Sequence, residues 1–68
     1  MSIEKIVRSI KVVKSRFPQD HYFYSYVSRE LASRGRKVNQ HNVRVIFRDP
    51  KRITPDIASI VREAHKTI

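Results

Sequence analysis

Residues Val27 to Phe47 read V-S-R-E-L-A-S-R-G-R-K-V-N-Q-H-N-V-R-V-I-F, and their punctuation predicts two helices around a turn. Val27, Leu31 and Ala32, at four- and five-residue steps, gather on one helical face, with Ser28, Arg29, Ser33 and Arg34 pointing elsewhere. The chain's single glycine, Gly35, follows. Without a Cβ it enters the left-handed backbone region that closes a helix C-terminus. Asn39 opens the next helix, because its side-chain oxygen can accept from a free N–H of the first turn. Val38 and Val43 stand at the spacing of a hydrophobic staple around that cap. Val43, Ile46 and Phe47 then form an i, i+3, i+4 apolar face and leave Gln40, His41, Arg44 and Arg48 on the other side.

The flanks add two more helices. Toward the N-terminus, Ser2 can cap a helix in which Ile3, Ile6, Val7, Ile10, Val13 and Phe17 recur at three- and four-residue steps until Pro18 stops it. Between Pro18 and Val27 lie all three tyrosines, with Asp20 or Ser25 as the cap of the following helix. Asp20 is preferred, since it lets Phe23 join Val27 and Leu31 on one face. Tyr22 and Tyr26 are then expected as an exposed pair. Toward the C-terminus, Asp49-Pro50 marks a loop. Thr54, Pro55 and Asp56 spell a further start, and Ile57, Ile60, Val61, Ala64 and Ile68 supply an inward face. The expected fold is all-α, a single four-helix domain over residues 1–68 with helices near 3–16, 21–34, 40–48 and 55–66.

Charge points to a partner. Fifteen Lys+Arg against six Asp+Glu give a net charge of +9 and a pI near 10.7, so a polyanion is expected. From residue 29 to residue 52, Arg29, Arg34, Arg36, Lys37, Arg44, Arg48, Lys51 and Arg52 face only Glu30 and Asp49, a local excess of +6. Two short helices about a glycine turn, the second with a polar and basic outer face, predict a helix-turn-helix whose second helix lies in the DNA major groove. The expected DNA-binding residues are those eight cations together with Asn39, Gln40, His41 and Asn42.

From Val38 onward, V-N-Q-H-N-V-R-V-I-F, a loop and R-I-T-P-D-I-A-S-I-V-R-E-A resemble the recognition helix and third helix of lactose-repressor-type headpieces. That family carries V-S-x-x-T-V-S-R-V-L in the recognition helix. The likeness spans residues 38–64. It implies sequence-dependent binding of double-stranded DNA and a role in transcription regulation, or an accessory role, on a bacterial or phage genome. The chain departs from the pattern in a longer turn between Gly35 and Asn39, in Val45 where the family often has a base-reading arginine, and in a helix preceding the motif.

Other readings compete. An RNA-binding or ribosome-associated helical protein would use the same charge, and a protein-interaction module would carry it incidentally. The first helix, with cations off its apolar stripe, resembles a membrane-surface helix less than a core helix, since it lacks tryptophan, and no membrane partner is expected. The run Ser33 to Lys37 lacks the proline of an extended arginine hook. The aromatic group beside it is expected to be core before it is a base-stacking platform. His21, His41 and His65 share no metal-ligand spacing, and there is no cysteine nucleophile or glycine-rich phosphate loop. No metal, cofactor or enzymatic activity is therefore expected. The absence of cysteine, of a long apolar run and of an uncharged N-terminal apolar core predicts a cytoplasmic protein. The length of the first apolar stripe predicts a homodimer.

Overall fold

A computed structural model describes residues 3–67; Ser2 and Ile68, expected as a cap and a core residue, lie outside them. Four helices follow in order: α1 Ile3–Ser15, α2 Asp20–Ser33, α3 Gln40–Arg48 and α4 Pro55–Thr67, with a single 3-10 turn at Pro50–Arg52. No strand occurs among the described residues. Glu4 in the first turn of α1 and Lys14 in its last both favour the helix dipole. Beyond Ser15, the N–H groups of Arg16 and Phe17 donate to Val13 and Lys14 carbonyls at 3.1 and 3.2 Å, a 3-10 tightening before Pro18.

α2 begins one residue earlier than the asparagine-and-acid capping rules suggest. Gln19, not Asp20 or Ser25, is the residue before the helix, and it makes no side-chain capping bond. The Asp20 carboxylate is drawn instead to Lys14 Nζ, 3.4 Å away on α1. Phe23, Val27 and Leu31, strictly four apart, form the buried face of α2, while Ala32 is exposed. Tyr22 is 49% exposed as expected. Tyr26 is not: it is half-buried, its ring 5.7 Å from that of Phe17.

The end of α2 is closed in two steps. Gly35, at φ +89°, donates its N–H to the Ala32 carbonyl at 3.0 Å, and Arg36 donates to the Leu31 carbonyl at 2.9 Å. This pair of bonds is the Schellman closure, and it needs a left-handed residue at the first position. The 34–39 connection then runs back along α2, held where Ser28 Oγ donates to the Val38 carbonyl at 2.6 Å. Asn39 caps α3, its side-chain oxygen accepting from the Asn42 N–H at 2.8 Å. At the far end, Asp49 Oδ1 accepts from the Lys51 N–H at 3.2 Å, and Pro50 starts the 3-10 turn.

One apolar cluster joins the helices. Ile6 and Val13 of α1 meet Phe23, Val27 and Leu31 of α2, Val43 of α3, and the Ile57, Ala58, Ile60, Val61 and Ala64 face of α4. No polar side chain is buried in it. α1 packs chiefly on α4, whereas α3 packs on α2 and on the 3-10 turn and touches neither α1 nor α4 through its backbone. α3 is thus carried at one side of the molecule, its inner face covered and its outer face open.

Candidate nucleic-acid interface

Phe47 sets the roll of α3. Its ring lies 5.2 Å from Phe23 and 6.1 Å from Tyr24, and with Val43 and Ile46 it turns the inner face of α3 to the core, leaving Arg44 and Arg48 outward. Gln40, His41, Asn42, Arg44 and Arg48 are all exposed. Gln40 is pinned by its own amide, which donates to the His21 carbonyl at 3.1 Å and fixes the first turn of α3 against that of α2. The side chains of His41, Arg44 and Arg48 have no partner among the described residues.

The remaining cations separate into two groups. Arg34 and Arg36 hold α4 to the end of α2. Arg34 Nη2 meets Glu63 Oε2 at 2.9 Å, and its Nη1 donates to Ser59 Oγ at 3.4 Å. Arg36 Nη1 donates to Thr54 Oγ1 at 2.9 Å and to both carboxylate oxygens of Asp56 at 3.0 Å, while the Thr54 hydroxyl donates to Asp56. That hydroxyl first, and then the Arg36 guanidinium and the Ile57 N–H, hold the Asp56 carboxyl below its usual range against the opposing effect of burial. Arg52 is paired with Asp49 at 3.7 Å in an exposed contact worth little. Arg29, Lys37 and Lys51 are exposed and, among the described residues, unpaired.

Beside α3 opens a cleft of about 750 Å³. One wall is α3, with Gln40, His41, Arg44, Phe47 and Arg48; the other is built from Ile10 and Lys14 of α1 and from Asp20, His21 and Tyr24 at the start of α2. Lys14 lies over the Tyr24 ring at 5.7 Å. Burial works against its charge, but the Tyr24 hydroxyl and the Asp20 carboxylate more than offset this and hold Lys14 above the ordinary lysine value. The arrangement is an open channel with cations on both walls and rings and an isoleucine between them, suited to an elongated anion.

Sequence reasoning did not find the α1 and α2 side of this cleft. Lys14 and Asp20 meet only because α1 turns back at Pro18, and no periodicity encodes that. Among the described residues, no three His, Cys, Asp or Glu side chains gather as metal ligands, and no helix is long and apolar enough to cross a membrane. The chain matches no family model, no curated protein and no solved structure, so the chemistry of the cleft and of α3 carries the functional reading.

Proposed function

We propose that the chain binds double-stranded DNA, with α2, the 34–39 connection and α3 acting as a helix-turn-helix and α3 entering the major groove. The observation that carries this reading is the outer face of α3, where His41, Arg44 and Arg48 stand exposed and, among the described residues, unpaired, while Arg34 and Arg36 are committed to α4. A basic helix face whose cations form no ion pair among the described residues leaves its donors for an external anion. At 1.5 Å per residue, Gln40 to Arg48 spans about 12 Å, enough to face roughly three or four base steps of 3.4 Å. Arg44, in the middle of that face, is the base-reading residue, its fork pairing with guanine O6 and N7. His41 and Asn42 serve base edges or phosphates near the start of α3, with the side-chain oxygen of the anchored Gln40 left to join them; Arg29, Lys37, Arg48, Lys51 and Arg52 serve the backbone. The biological role that fits is a transcriptional regulator or an accessory DNA-binding protein.

The test is selection of bound duplexes from a random DNA pool at physiological salt, with structured RNA as competitor. An enriched sequence motif is the expected result. Retention of RNA in preference to every duplex would replace this reading with that of an RNA-binding protein.

A further inference from the structure

We propose that the cleft between α1 and α3 seats one phosphodiester strand of the bound DNA, which makes Lys14 a backbone-contact residue and Asp20 a brake on affinity. The inference rests on the reading of α3 as the DNA-contacting helix and adds a second wall to it. A helix lying in the major groove is flanked by the two sugar-phosphate backbones. The cleft runs along one flank of α3, and its volume of about 750 Å³ accommodates a single strand but no duplex.

Charge complementarity favours this occupant. On the α3 wall Arg48 offers its charge to the strand while Arg44 reaches past it toward the bases, and Lys14 lines the opposite wall on α1, so the strand would meet cations on both sides. Lys14 is also already ordered, seated over the Tyr24 ring at 5.7 Å whether or not Asp20 carries its charge. A pre-positioned ammonium loses less side-chain freedom on binding than a free surface lysine. The same geometry places the one acid of the cleft, Asp20, beside the path of the phosphates. Its charge opposes the strand, and its partner must be shared with a phosphate.

The experiment measures binding of a fluorescein-labelled duplex of about two helical turns by anisotropy, across a salt series. Lys14→Ala is expected to weaken binding about three- to tenfold and to reduce the slope of log K against log salt by about 0.9, the loss of one phosphate contact. Lys11→Ala, which removes an exposed charge of α1 outside the cleft, is expected to change affinity less than about twofold. Asp20→Asn is expected to tighten binding severalfold, whereas Glu4→Gln, the same charge change at the far end of α1, is expected to leave it unaltered. A merely structural role for the Lys14–Asp20 pair predicts that both cleft variants lose affinity, and circular dichroism melts confirm that each variant is folded. Equal effects of Lys14→Ala and Lys11→Ala, or weaker binding by Asp20→Asn, would overturn the inference while wild-type binding keeps the α3 reading alive. No duplex binding by the wild type removes both.

Discussion

Gly35 carries the only positive φ among the described residues, and a Cβ built on it would meet nothing within 4 Å. Any penalty for substitution there is therefore backbone strain and not a clash. Gly35→Val is expected to lose about 1–2 kcal/mol in urea melts and Gly35→Asn less, since asparagine tolerates the left-handed region. Wild-type stability in both variants would mean that the Schellman closure is dispensable. Asp56 makes a pH prediction. Its folded pKa lies below the ordinary 3.8 because the Thr54 hydroxyl, Arg36 and the Ile57 N–H favour the carboxylate. A carboxyl lowered in the folded state stabilises the fold above its unfolded pKa, and that stability disappears as pH falls through the folded value. With a third of the side chain exposed, solvent screening keeps that contribution small. Wild type should thus lose more stability than Asp56→Asn between about pH 5 and pH 2, and parallel curves would rule the carboxylate out. On α3, Arg44→Ala should lower affinity and flatten preference at one base position by about 1–3 kcal/mol, whereas Lys51→Ala should weaken all duplexes alike. Matched losses on selected and scrambled duplexes would leave Arg44 as one more solvated charge.

α3 is the element most exposed to failure, because nine residues are fewer than the 12–15 or so at which an isolated helix becomes marginally stable. It persists through the Asn39 cap, the Gln40 anchor on α2 and the packing of Val43 and Phe47. Asn39→Ala should cost about 1 kcal/mol. Amide hydrogen exchange should then quicken in α3 while α4 stays protected; unchanged α3 exchange would refute the cap's role. The limits of this helix were also the most legible in the sequence. Cap, staple and apolar triplet are all local signals, and its predicted limits of 40–48 coincide with Gln40–Arg48. Gly35 was legible for the same reason. Asp20 was misread as a cap because its carboxylate answers to Lys14 on another helix, and Tyr26 was misread as exposed because Phe17 folds back over it. The duties of Arg34 and Arg36 were hidden as well, since their acids lie 29 and 20 residues away, beyond any helical spacing rule.

For the molecule as a whole, the long apolar stripe of α1, which suggested a homodimer, is largely spent on α4. Ile6 and Val13 are buried, Val7 and Ile10 half-buried, and Ile3 remains 50% exposed. Light scattering should accordingly give a monomer at micromolar concentration in the absence of DNA, with a melting temperature independent of dilution; a concentration-dependent melt would indicate self-association. The pairing of α1 with α4 also has a temporal side. Ser9 and His65 lie 3.3 Å apart across 56 residues of chain, while α2 and α3 meet across the short 34–39 connection. Closing the larger loop costs more chain entropy, so the central pair can assemble first. In refolding, Val13→Ala should chiefly accelerate unfolding, whereas Phe47→Leu should chiefly slow folding. On the ribosome, at about 5–20 residues per second, the first helix would wait roughly 3–10 s for the last. Once clear of the ribosome, its apolar stripe faces water, a nascent segment open to chaperones until α4 arrives to cover it.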